Sequence, residues 1–509
     1  MEEKELEERK QVIKEKIISF LEDKDNLILF GVLFFAFFIR LYYFWITKTQ
    51  PLWWDEAEYM LRAKAFVFDT PITGWAIQRE IVVPLIWSVI YLITKSEFWI
   101  RFLQVIISLS TIFLTYLLGK EMFDKKIGII AALIMAANGI HLFFTMRLLT
   151  YLWAPLFFLL TFYFFWKGYI KKEKRIYIYI TPLVAAFGIS IYGSLAFGVL
   201  TIFIFFIITE QHKFLLKKDI WIMAIIGSIA LIPQFIYSKI TYGSAISRWS
   251  SLQSSPSTRQ YDLIFSYFKM FPHLFGKIFT LLIALGSVYV LYNLILSFDF
   301  ILKNKSKNLK AYLLVFLWSF IVLTFYTYVA IYRGGTVYDA FVMSAFPALA
   351  IFGAHGASLI YKSRILNYKL SIFILIIILL LGGFYQISYA NKLIINKINS
   401  FDTLKDAGLW LKQNSNPDDK ILTQAVPAIT CYSERISIFS PSLEDELQTI
   451  VNQNNTKFFV LSAWQMDESQ LWYLNYSQKN PDKFIPLIAF PINSQQPTTI
   501  IYLINSSAF

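Results

Sequence analysis

The chain has 509 residues, of which 57% are hydrophobic, 18% aromatic and only 16% charged, against about 25% charge in a soluble domain. That balance excludes a soluble enzyme, a disordered chain and a disulfide-rich secreted module. The single cysteine, Cys431, allows no intrachain disulfide, and one Cys with four His leaves few ligands for a haem or iron–sulfur centre.

Residues 1–26 read as a charged amphipathic segment without the layout of a signal peptide. Apolar runs long enough to cross a bilayer follow at 27–47, 98–118, 127–146, 151–167, 176–192, 194–210, 219–237, 276–298, 311–331, 339–360 and 370–389. The uncharged core of a twelfth stretch, Ile81 to Thr94, is short for a span and suits a helix lying in the interface. The expectation is therefore a polytopic α-helical membrane protein with about eleven spans.

The net charge of +13 would suit nucleic acid, but its distribution assigns it to topology. With the N-terminus in the cytoplasm, every inner loop is basic: Lys120, Lys125 and Lys126 in the first, Lys171, Lys172, Lys174 and Arg175 in the second, and the same in the rest. The short outer loops hold little beyond Arg147 and Arg333. No nucleic-acid partner is expected.

Two outer segments are long, 48–97 and 238–275, and segments of that length outside a membrane usually have structure or function. After Tyr389 the composition becomes ordinary and slightly acidic. Residues 390–509 read as a small extracytoplasmic α/β domain, with a helix around Phe401–Gln413 and strand-like runs at Lys420–Ala425, Lys457–Ser462 and Thr499–Ile504.

The strongest chemical signal is Trp53-Trp54-Asp55-Glu56-Ala57-Glu58-Tyr59, just past the outer end of the first span and leading into an amphipathic helix from Ala57 to Phe68. An interface belt explains the aromatics but not the adjacent acids. A carboxylate at the lipid–water boundary meets a lipid headgroup and a water-borne acceptor together, and there can act as general base toward a hydroxyl.

These residues resemble the opening of the GT-C glycosyltransferases, integral-membrane enzymes that use polyprenyl-phosphate sugars. The resemblance rests on the Asp-Glu pair after the first span, the amphipathic helix, and the Pro-containing helix Ile81-Val82-Val83-Pro84-Leu85-Ile86-Trp87. It continues through Ser96-Glu97-Phe98-Trp99-Ile100-Arg101-Phe102, through Tyr116 to Phe123, through Gly128 to Ala137 with Arg147 after it, and through Tyr338 to Gly353. Within the superfamily the chain is similar to the protein O-mannosyltransferase-like and lipid A aminoarabinose transferase-like groups. The resemblance implies the GT-C fold, a cell-membrane location, a polyprenyl-phosphate sugar donor, and a protein, lipid or glycan acceptor. It implies inverting transfer with Asp55 as base and Glu56 beside it. Some members need a divalent metal, Mg or Mn, and others do not.

A departing lipid phosphate needs positive charge, and arginine binds phosphate with a planar fork. Arg147, alone in a very short outer loop, and Arg333, before the Gly334-Gly335 pair, are the candidates; each has snorkelling as its structural alternative. Arg248, Arg259 and Lys269 in the long outer loop are weaker ones. Glu58, Arg79, Glu80, Asn138, His141, Tyr151 and Tyr338 are candidates to line the cavity. His141 either contacts substrate, joins a metal with Asp55 or Glu80, or is hydrogen-bonded to a neighbour. Arg79-Glu80 stands where many relatives carry His before Pro-Pro, and Tyr151 stands near the point where they carry Asp. The rival class is a multi-pass transporter or lipid-linked sugar flippase; no clear internal repeat, the mark of that class, is seen.

Overall fold

The computed structural model describes residues 5, 11, 14, 22–73, 79–245, 260–302, 306–332, 337–362, 367–466 and 468–508. Most of the expected N-terminal amphipathic segment lies outside the described residues, as do Arg248, Arg259 and Arg333. Among the described residues, eight helices are long and apolar enough to cross a membrane, or nine if one bent pair counts as a single span. The other two expected spans, 151–167 and 176–192, are also helical but shorter, at Trp153–Phe165 and Ile176–Ile191. The chain divides into two compact units.

One unit comprises Met1–Trp45, Leu103–Met146 and Thr150–Lys392. It holds most of the long apolar helices, including α1 (Lys24–Thr47) as far as Trp45 and α4 (Glu97–Met122) from Leu103. The expected third span is broken into α5 (Lys125–Ala137) and α6 (Gly139–Thr145), bent by 60°. Asn138 makes the break: its side chain caps α6 by accepting from the His141 amide at 2.8 Å, and its Nδ2 donates to the Leu274 carbonyl at 2.9 Å.

Glycines bring two later helices of this unit, α11 (Ser266–Leu296) and α13 (Phe346–Tyr361), into backbone contact. A Cβ at Gly286 would lie 1.7 Å from the Phe352 carbonyl oxygen, and one at Gly356 would lie 1.9 Å from that of Leu282. Small residues at a helix crossing permit such close approach, and in lipid that packing holds helices together.

The second unit comprises Ile46–Phe102, Arg147–Leu149 and Leu393–Phe509. Its C-terminal part is built on a five-stranded sheet of order β2-β1-β3-β5-β4. Strands β1 (Lys420–Thr423), β2 (Ser437–Phe439) and β3 (Thr456–Ser462) are parallel; β5 (Thr499–Ile504) runs antiparallel to β3 and to β4 (Phe484–Phe490). α15 (Asp402–Asn414) covers one face through Leu404, Ala407 and Leu411, against Ile421, Phe458 and Ile501. The other face buries Leu422, Phe459 and Tyr502 against Leu447, Val451 and Tyr473. Strands β2 and β4 are additions to the sequence reading. β2 has three residues, and β4 contains Pro486 beside a register shift, which a sheet tolerates at an edge.

Two helices of the long segment 48–97 belong to this unit. α2 (Trp54–Ala65) begins three residues before the expected Ala57 and ends three before Phe68. α3 (Val82–Thr94) buries Val83, Trp87 and Tyr91 along one stripe and exposes Val89, Leu92 and Ile93 along the other. Burying each large side chain of that stripe contributes about 1.5–3 kcal/mol. An apolar helix of 13 residues, buried on one side only, agrees with a helix in the interface rather than a span. α2 packs on α16 (Val426–Ser433), where Lys64 Nζ donates to the Cys431 carbonyl at 3.0 Å. The Leu52 amide donates to the Tyr432 hydroxyl at 2.8 Å, and Lys405 Nζ donates to the Thr49 carbonyl at 2.7 Å.

Candidate active site

The site is easiest to build from the start of α2. Its first turn carries Asp55 and Glu56, where acids are favoured by the exposed amides of a helix N-terminus. Glu56 reaches back to accept from the Trp53 amide at 2.7 Å, half of a capping box. The same carboxylate accepts from the Leu148 amide at 2.6 Å and pairs with Arg147 Nη2. Glu56 is 0% exposed and Arg147 1% exposed. The Arg147 guanidinium also lies over the Trp53 ring, 3.8 Å from its centroid. Burial pulls Arg147 below its ordinary value, to about 10 against the opposing pull of Glu56, which leaves it charged at neutral pH. Its Nε and Nη1 make no hydrogen bond among the described residues.

Asp55 and Glu58 are three residues apart on α2 and so lie on one helical face. Arg79 bridges them. Its Nη2 donates to Asp55 Oδ1 and its Nε to Glu58 Oε2, each at 2.5 Å. The guanidinium lies 5.5 Å from the centre of the Tyr59 ring. The side chains of Arg79, Asp55 and Glu58 are 16%, 35% and 2% exposed. Asp55 is thus the open end of the cluster. Burial pushes the Glu58 carboxyl above its ordinary value, and Arg79 restores only part of the difference. Burial opposes the charge on Arg79, but Tyr59, Asp55 and Glu58 more than offset it and hold the guanidinium above its usual value. Glu80, next in the chain, is buried.

Two further residues of this unit were not among the sequence candidates. Arg101 is buried; it donates to the Gln50 carbonyl at 2.8 Å and to Glu97, and so ties the start of α4 to the chain before α2. Tyr432 holds Leu52 as described above. The Glu97–Arg101 spacing of four residues was the available signal for the first; nothing in the sequence links Tyr432 to Leu52.

The remaining candidates lie in the other unit. His141 and Asn138 are 0% exposed. Arg40 of α1 donates to Ser108 Oγ at 2.7 Å and to the Ala136 carbonyl at 3.1 Å, and its Nη2 lies 3.3 Å from His141 Nδ1. Of the three roles open to His141, hydrogen bonding to a neighbour is the one seen. Tyr151 and Tyr338 are ring neighbours, with centroids 5.9 Å apart and Phe341 touching both. Lys269, on α11, is exposed.

Among the described residues, no three His, Cys, Asp or Glu side chains are grouped to hold a metal ion. The carboxylates of Asp55 and Glu58 already share a guanidinium. The donor set does not fit a divalent cation, and no step below uses one.

The family of dolichyl-phosphate-mannose-protein mannosyltransferases matches residues 81–237, a stretch that includes Arg147 and begins after Asp55. No curated protein sequence matches the chain. Among solved structures, ArnT from Cupriavidus metallidurans bound to undecaprenyl phosphate is similar at a TM-score of 0.65 and 10% identity, over 95% of this chain and 98% of that one. The oligosaccharyltransferase AglB from Archaeoglobus fulgidus, in complex with an inhibitory peptide and a dolichol-phosphate, is similar at 0.63 and 12%, over 87% of this chain and 69% of that one. An Archaeoglobus fulgidus oligosaccharyltransferase in complex with Zn and sulfate is similar at 0.61 and 14%, over 85% of this chain and 67% of that one. At these identities the likeness is one of fold, and that fold is common to GT-C membrane glycosyltransferases.

Proposed function

From the premise that this chain is a multi-pass membrane protein with the GT-C glycosyltransferase fold, we propose that it moves a sugar from a polyprenyl-phosphate donor to an acceptor hydroxyl at the outer face of the cell membrane. The observation that carries this reading is Asp55: a part-exposed carboxylate at the N-terminus of α2, anchored on one oxygen by Arg79. Its other oxygen, Oδ2, makes no hydrogen bond among the described residues and is available to a substrate.

In the proposed reaction Asp55 takes the proton of the acceptor hydroxyl as that oxygen attacks the anomeric carbon of the donor. The new C–O bond forms on the face opposite the phosphate. The old C–O bond breaks, and its electron pair leaves with polyprenyl phosphate. The configuration at the anomeric carbon inverts. Glu56 is fully buried on three donors, so we assign it to holding the start of α2 rather than to proton transfer. Arg147 is its counter-charge, and we assign it to the same anchoring role rather than to direct contact with the donor phosphate.

An outward-facing site is supported by charge and by connectivity. The first loop and residues 393–509 share one compact unit, which supports a reading in which both lie on one side of the membrane. That requires an even number of crossings between them, and eleven expected spans less the first leave ten. The basic loops put the opposite side in the cytoplasm. Dolichol-phosphate and undecaprenyl phosphate in two of the similar structures support a lipid-linked donor.

The test uses purified protein in detergent with a panel of radiolabelled polyprenyl-phosphate sugars and membrane extract as acceptor, wild type beside Asp55→Asn. Release of sugar from one donor, lost in the variant, is the expected result. A well-folded protein that turns over none of the donors would shift the assignment to a transporter or flippase.

A further inference from the structure

The structure offers a further role for Arg79, resting on the transferase reading above. We propose that Arg79 is a positioning residue that supplies the fixed positive charge of the site, in the position where a divalent metal would otherwise bridge Asp55 and Glu58, so that transfer proceeds without a bound metal.

Four observations carry the proposal. First, Arg79 uses two different nitrogens on two different carboxylates, at 2.5 Å each, which is a bridge and not a single surface ion pair. Second, the bridged carboxylates are set by the helix itself: residues three apart in the first turns of α2 project side by side. Third, the bridge is enclosed. Glu58 is almost wholly buried, Arg79 largely so, and the Tyr59 ring lies against the guanidinium. A buried carboxylate requires an opposite charge, and Arg79 provides it without a metal. Fourth, the neighbouring acid Glu56, needed as a third ligand in any metal site here, is committed to Arg147 and two backbone amides.

A divalent ion entering beside Arg79 would meet a like charge at short range, and it would have to displace bonds that already satisfy both carboxylates. Arginine stays protonated across the working range, so this charge is permanent, unlike that of a metal that comes and goes with supply. The bond to Asp55 Oδ1 also restrains the rotation of that carboxylate and leaves Oδ2 unengaged among the described residues.

The test has two arms that read different things. In the first, wild-type protein is stripped with EDTA, repurified, titrated with Mn²⁺ by calorimetry, and assayed for sugar transfer with and without EDTA. We expect no stoichiometric Mn²⁺ uptake and transfer unchanged by EDTA. In the second, Arg79→Ala and Arg79→Met are checked for folding by thermal unfolding and then treated alike. We expect transfer to fall by about 100-fold, the scale of a misplaced catalytic group. We also expect Mn²⁺ to bind the vacated carboxylate pair and recover part of the loss, and Asp55→Asn combined with Arg79→Ala to bind none. Stoichiometric Mn²⁺ uptake by wild type, or loss of its transfer in EDTA, would overturn the proposal. So would a folded Arg79 variant that gains no affinity for Mn²⁺. Should no donor turn over at all, the transferase reading fails, while Mn²⁺ uptake still decides whether the guanidinium holds the metal position.

Discussion

Arg147 and Glu56, 91 positions apart in sequence, meet as a completely buried ion pair. The pair does more than neutralise charge. Glu56 caps α2 through the Trp53 amide and takes the Leu148 amide, while Arg147 stacks on the Trp53 ring. The short segment Arg147–Leu149 is thereby fastened to the residues that present Asp55.

Arg147→Ala should therefore act on stability first. Removing one partner leaves a buried, uncompensated carboxylate, at a cost of about 3–5 kcal/mol. A marked fall in the thermal midpoint of the detergent-solubilised protein is expected. An unchanged midpoint with loss of donor affinity would instead make Arg147 a phosphate ligand.

Asp55→Asn should behave in the opposite way. It keeps the shape and an acceptor for Arg79, but it removes the carboxylate proposed as base. Transfer should drop by about 100- to 10,000-fold, with the thermal midpoint close to wild type. Activity within a few-fold of wild type would remove Asp55 from the reaction.

Glu58 gives a pH signature. Its folded-state value is raised above the ordinary 4.5 by burial. Below 4.5 the group is protonated in both folded and unfolded chains, and its contribution to stability is fully present. As pH rises through the raised value the unfolded chain ionises more readily, so that contribution is lost. Thermal midpoints measured from about pH 4.5 upward should fall more steeply for wild type than for Glu58→Gln; parallel profiles would show that Glu58 does not carry the effect.

Gly286→Ala probes the helix crossing. A methyl group there would lie 1.7 Å from the Phe352 carbonyl oxygen, so α11 and α13 must separate. A destabilisation of about 1–3 kcal/mol is expected, with the proposed sugar transfer intact in the fraction that stays folded. A wild-type midpoint would mean that the helices separate without cost.

Much of this was legible in the sequence, for physical reasons that can be named. Hydropathy gives the apolar helices because lipid requires long uninterrupted runs, and the charge bias of the loops gives their parity. Asp55 was conspicuous because acids beside a bilayer need a reason. The spacing of Asp55 and Glu58 carried the shared face, yet the cation that joins them lies 21 residues beyond Glu58, past the end of the amphipathic helix that carries both acids. Glu56 looked as reactive as Asp55, since adjacent residues are not told apart by composition; only the fold turns one inward and leaves the other partly open. Asn138 interrupts a continuous apolar run, which hides a 60° bend from any count of hydrophobic residues. Strand β2 is too short to show alternation, and Pro486 disguises β4.

The pairing of α2 with α16 has a consequence for how the protein is made. Residues 46–102 leave the ribosome well before residues 393–509, yet the two fold as one unit, joined through Leu52–Tyr432, Lys64–Cys431 and Thr49–Lys405. The face of α2 that packs on α16 stays uncovered until residues 426–433 have been made. A nascent chain therefore holds its Asp55 segment unfinished while the intervening apolar helices are made, and the start of α2 is fastened only once α16 has joined it.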